Sequence, residues 1–95
     1  MSQTFCRALQ DNDWAAVKAA LDPVLAGARG GKDDALRALK SWLESRECVA
    51  SVEISPDLLD TEPPTQELIV TLKAGGQKTI GIRLDPKRLS VNYKP

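Results

Sequence analysis

Asp57, Asp60 and Glu62 are the residues of this chain whose type and spacing come nearest to chemistry. They stand together in Ser55-Pro56-Asp57-Leu58-Leu59-Asp60-Thr61-Glu62-Pro63-Pro64-Thr65-Gln66, between two runs that read as strands. Clustered carboxylates can hold Ca²⁺ or Mg²⁺, and a carboxylate pair can pass protons. This run lacks the glycine turn and the alternating ligand positions of an EF-hand loop, and Pro63-Pro64 stiffens its far side. We read the three acids as solvated, and expect no metal and no cofactor.

Other catalytic constellations fail on residue type. The chain has no histidine. That removes Ser-His-Asp and Cys-His catalysis, imidazole metal sites and the ordinary neutral-pH base. Cys6 and Cys48 lie far apart with no CxxC spacing. Two cysteines are too few for a disulfide scaffold, and the first ten residues lack the basic-then-apolar pattern of an export signal. Both are therefore expected as reduced, partly buried thiols, and the compartment as the cytoplasm. Gly27-Ala28-Arg29-Gly30-Gly31-Lys32 resembles a phosphate loop only in glycine content. Ala26 stands where its first glycine belongs, Asp33 where Ser or Thr should follow the lysine, and a helix precedes it instead of a strand. The chain is not expected to be an enzyme.

Charge separates along the chain although the formal net charge is zero. After residue 67 the one acid is Asp85, against Lys73, Lys78, Arg83, Lys87, Arg88 and Lys94. Thr71, Lys73 and Arg83 should share the outer face of a sheet, where single-strand binders place cations. No aromatic accompanies them there, so nucleic acid is not the expected partner. No stretch approaches the ~18 apolar residues of a membrane span.

Two periodicities position these residues. Phe5, Ala8 and Leu9 share a helical face that Asp11-Asn12-Asp13 interrupts. A second helix, capped by Asp13, carries Trp14, Val17, Leu21 and Leu25 at helical spacing; Pro23 should kink it or end it near Leu21. A third helix, capped at Asp33, should run to about Glu47 with Leu36, Leu39 and Leu43 inward. After Cys48 the period becomes two: Val52 and Ile54, then Leu68, Val70 and Leu72, then Ile80, Ile82 and Leu84, and last Leu89, Val91 and Tyr93. Matching faces pairs Leu84 with Leu89, Ile82 with Val91 and Ile80 with Tyr93 across an Asp85-Pro86-Lys87-Arg88 turn. Between the second and third strands it asks for a three-residue loop, 74–76 or 75–77, with a left-handed glycine. At 42% apolar and 27% charged residues in a 95-residue chain, the sum is one soluble α+β domain. Two to three N-terminal helices (1–47) pack on one face of a four-stranded antiparallel β-meander (48–95).

The connection at 55–66 is the pointer to function, because long unstructured connections in small domains are usually functional. Ser55-Pro56 can start a helical turn that presents Leu58 and Leu59 together. Either the leucines tuck under the sheet edge, or they stay exposed inside the ring of Asp57, Asp60 and Glu62 as a docking knob. The first needs at least one leucine shielded from water; the second needs both exposed. The expected function is a small intracellular interaction module, an adaptor, inhibitor or assembly factor. It binds another protein or itself, with Ile69 adding to the surface and an open edge strand able to pair across a homodimer. The alternative is a small-molecule or sensor domain with an apolar pocket lined by Trp14, Trp42 and Tyr93.

Overall fold

The computed structural model describes residues 2–60, 62–85 and 87–91, and the side chains of these apart from residues 2–4, 57 and 88. Three helices, α1 (Ser2–Gln10), α2 (Trp14–Gly27) and α3 (Lys32–Glu44), precede four strands, β1 (Val49–Leu59), β2 (Thr65–Leu72), β3 (Gln77–Asp85) and β4 (Arg88–Val91). The strands pair antiparallel in the order β1-β2-β3-β4. The fold is α+β, with helices on one face of a meander.

Local chemistry sets each boundary. Asn12, at φ 58°, takes the left-handed conformation that closes α1. The Asp13 N–H then donates to the Ala8 carbonyl at 2.8 Å and the Asn12 N–H to the Leu9 carbonyl at 3.4 Å, the pair of hydrogen bonds of a Schellman stop. Residues 2–10 thus form their own helix. The Asp13 carboxylate accepts from the Ala16 N–H, capping α2 as expected. Pro23 does not end α2, which runs on to Gly27. Its ring is exposed, while Leu21 and Leu25 on either side are buried in the same core and hold both turns to it.

The third helix also differs from expectation. It starts at Lys32 with Gly31 as N-cap, since Gly31 at φ 90° lets the chain turn into the helix before Asp33. Asp34 reaches back to the Gly30 N–H, and the helix closes at Glu44.

The strand registers follow the faces. Leu84 pairs with Leu89 and Ile82 with Val91; the third expected pair, Ile80 with Tyr93, falls outside the described residues. Residues 73–76 connect β2 to β3, and the three-residue loop inside the Leu72–Gly76 bond is Lys73, Ala74 and Gly75. Leu72 N–H donates to the Gly76 carbonyl, and Gly75, at φ 102°, supplies the left-handed position. The even-numbered residues of β2 and β3 face the helices, with Leu68, Val70, Ile80 and Ile82 fully buried. One core runs from Phe5 to Val91.

Length governs how far this cover extends. α2 lies on β4 and α3 on β1, with α1 packed against α2. The 14 and 13 residues of α2 and α3 span about 20 Å each at helical rise. The 11 residues of β1, three of them absorbed in bulges opposite the 8 of β2, span about 26 Å, and the 9 of β3 about 30 Å. The helices cannot cover the whole sheet. Along the helix-facing side of β1, Val49 and Val52 are buried, Ile54 is half-buried and Leu58 is exposed.

The cysteines overturn the expectation of free thiols. Cys6 in α1 and Cys48, just before β1, form a disulfide with Cα atoms 5.9 Å apart. α1 brings a buried Cys6 down over the α3–β1 junction, because Phe5 beside it packs edge-on against Trp42 with ring centroids 4.9 Å apart. Spacing in sequence carried no sign of this, since the bridge spans 42 positions. The argument for a reducing cytoplasm loses its premise. No helix among the described residues is long and apolar enough to cross a membrane.

Loop-closure entropy over that span is worth about 4 kcal/mol. Urea unfolding of Cys6→Ala/Cys48→Ala, or of the reduced protein, should show a loss of about 3–4 kcal/mol with the same native circular dichroism.

The two sheet edges are treated differently. On the outer side of β4, Val91 N–H donates to the Asp22 carboxylate at 3.0 Å, and Lys18 Nζ donates to the Val91 carbonyl at 3.2 Å. Lys18 and Asp22 pair at 2.8 Å one turn apart on α2. An i,i+4 ion pair thus substitutes for a fifth strand. Asp22→Ala removes the acceptor of a charge-assisted bond and should cost about 1–3 kcal/mol by urea unfolding. Asp22→Asn, which keeps an acceptor, should cost less than half of that.

Candidate interaction site

β1 does not stop at Ile54. It pairs Ile54 with Leu68, then resumes with Leu58 opposite Gln66 and Leu59 opposite Thr65. Ser55, Pro56 and Asp57 together stand opposite Glu67, so the strand absorbs two extra residues as a bulge. An edge strand tolerates this, because Pro56 has no N–H to give to a ladder. Gln66, buried on the helix-facing side, donates its Nε2 to the Ser55 carbonyl and fixes the bulge from within the hairpin. The true connection is residues 60–64, with a cis Glu62–Pro63 peptide. The expected helical turn at Ser55-Pro56 is therefore replaced by strand. β pairing to Gln66 and Thr65 satisfies backbone groups that a single turn would leave to water.

This geometry decides how the leucines are presented. Neighbouring strand residues point to opposite faces. Leu58 shares the helix-facing side with Gln66 and Ile82, and Leu59 shares the outer side with Thr65 and Arg83. They straddle the end of the sheet as a wedge. Leu58 is 46% exposed and Leu59 42%, and they are the large hydrophobic side chains left in solvent among the described residues. Neither is shielded, so the condition set for a tucked crossover is not met. Asp60 and Glu62 follow directly and are exposed, as is Glu53 on the outer face of β1; the Asp57 side chain lies outside the described set.

The remaining predicted residues fall elsewhere. Ile69 is half-buried on the outer face in the row Glu53–Ile69–Thr79, about 13 Å along β2 from Thr65, and does not adjoin the wedge. Trp42 is half-buried between Phe5 and the Arg46 guanidinium, which stands 4.2 Å from the ring centroid. Trp14 is half-buried against the core, and Tyr93 lies outside the described residues. A groove between helices and sheet does exist, but neither tryptophan lines it. Its walls are Leu25, Ala28, Ala35, Leu84 and Leu89. The chain signals it only through small residues on the helices opposite two half-buried leucines, which a search for aromatics passes over.

The backbone edge of β1 is open. Leu72 N–H bonds to Gly76, so the even residues of β2 direct their backbone bonds to β3 and the odd ones to β1. Ser51 and Glu53, opposite Thr71 and Ile69, spend theirs on β2; those of Val52 and Ile54 point away from the sheet. Among the described residues no three His, Cys, Asp or Glu gather as a metal site. What is assembled is a strand edge ending in two exposed leucines with acids at the tip, an arrangement suited to binding. No protein-family model, curated protein or solved structure matches the chain.

If the leucines carry no folding load, Leu58→Asp/Leu59→Asp should change unfolding free energy by less than about 0.5 kcal/mol. Leu68→Ala, one strand away and fully buried, should cost about 2–5 kcal/mol in the same assay.

Proposed function

We propose that the protein is a non-catalytic interaction module that docks another protein through the β1–β2 hairpin end. The observation that carries this reading is the exposure of Leu58 and Leu59 together at the end of an uncapped edge strand. Exposed leucines are a cost in solution unless something covers them, and apolar residues rimmed by polar ones are a recurring form of docking surface. The partner we propose has an apolar socket for the leucines and a basic rim for Asp60, Glu62 and Glu53, and adds a strand along Val52 and Ile54. Ile69 and Asp57 are secondary members of this surface. A second copy fits less well, because a two-fold contact at this hairpin would set the acids of one copy against those of the other. The setting we propose is an oxidising compartment, where a bridge such as Cys6–Cys48 persists.

Three baits should be compared by pull-down and mass spectrometry under non-reducing conditions: wild type, Leu58→Asp/Leu59→Asp and Asp60→Lys/Glu62→Lys. A partner held by the wild type should be lost with the leucine variant and weakened severalfold by the charge reversal, with binding falling as salt rises. An unchanged partner set across the three baits would reject the proposal. So would a wild type that only dimerises.

A further inference from the structure

The groove at the same end of the sheet carries a separate inference. It measures about 620 Å³, inside the range of roughly 300–1,000 Å³ of small-molecule sites. The last turn of α2, the first turn of α3 and the β3–β4 hairpin line it, and it is open to solvent. Leu84 and Leu89 pair across the hairpin and point toward the helices, but both are only half-buried. Opposite them the helical side offers Ala28, Gly31 and Ala35, too small to fill the gap. Because the groove is open, part of this apolar wall is left uncovered.

The mouth carries more positive than negative charge. Lys32 opens α3 and Lys87 lies in the hairpin turn; both are exposed and both line the groove. Among the described residues neither ammonium takes part in an ion pair. Asp85 also lines the groove, but one of its carboxylate oxygens accepts the Lys87 N–H at 2.9 Å and serves the turn. Two cations with one acid, above a leucine floor, complement a ligand with an apolar body and a single negative head.

We propose that this groove binds a small amphipathic carboxylate. Its alkyl chain covers Leu25, Leu84 and Leu89, and its carboxylate lies toward Lys32 and Lys87. The assignment does not depend on the docking function of the hairpin, and neither tryptophan takes part.

The test is a titration of ¹⁵N-labelled protein with decanoate below its micelle-forming concentration, with decanol and decyltrimethylammonium in parallel. Decanoate should shift the amides of Ala28, Lys32, Leu84 and Leu89 saturably. Lys32→Gln/Lys87→Gln should weaken it about tenfold, the sum of two partly exposed charge contacts, and leave the weaker decanol unchanged. Ala28→Leu, which fills the groove, should weaken both. The ¹⁵N spectra themselves report whether each variant is folded. The proposal is overturned if decanoate shifts nothing, if it shifts Leu58 and Leu59 in place of the groove, or if the lysine variant binds it as the wild type does. It is equally overturned if decanol or the cation binds as tightly as decanoate.

Discussion

A sheet longer than the helices that cover it is the constraint from which the rest of this structure follows. Burying one apolar face drives the fold, and about 20 Å of helix is set against about 26–30 Å of strand. α2 and α3 centre on Val17, Leu21, Leu39 and Leu43, all fully buried, and protect Leu68, Val70, Ile80 and Ile82 beneath them. Protection then fades toward the β1–β2 and β3–β4 hairpins. In the row Leu58–Gln66–Ile82–Val91 the members on β2, β3 and β4 are buried and the one on β1 is not. One row further, Leu84 and Leu89 are half-covered and the groove opens above them. The wedge and the groove are thus two outcomes of one shortfall.

The molecule closes some of what this leaves and not the rest. At β4, α2 lies close enough for Lys18 and Asp22 to bond the outward backbone groups of Val91, which blunts that edge against stray pairing. α3 crosses β1 from above and offers the edge no such bonds among those described; its contacts are with the apolar face. The disulfide works at the opposite end of β1 from the leucines. It fastens α1 to the α3–β1 junction, where Phe5 and Trp42 already meet, and so anchors the start of the strand whose far end is exposed. Rigidity at one end and exposure at the other suit a strand that presents a surface.

Much of this was legible in the amino-acid sequence, because period and turn chemistry act locally. The change from helical to alternating pattern at Cys48, the Asp13 cap and the Leu84–Leu89 register each depend on residues within a few positions of one another. What was not legible depends on tertiary placement. Pro23 pointed to a kink or an end near Leu21, yet the burial of Leu21 and Leu25 carries the helix on through it to Gly27. Ser55-Pro56 looked like a helix start, yet the pairing of Leu58 and Leu59 with Gln66 and Thr65 offered the backbone a ladder. The Cys6–Cys48 bridge joins residues whose proximity exists only once α1 has docked. At the candidate site, residue identity pointed to Leu58 and Leu59, but only the fold shows that they lie on opposite faces and that Ile69 stands apart from them.

The most direct test of an uncovered sheet end is the accessibility of leucine methyl groups to a soluble nitroxide, read by methyl NMR. The account predicts strong paramagnetic relaxation at Leu58 and Leu59, intermediate relaxation at Leu84 and Leu89, and little at Leu68 or Leu72. Leu58 and Leu59 methyls protected to the level of Leu68 would mean that the chain covers its own sheet end, and would contradict the account.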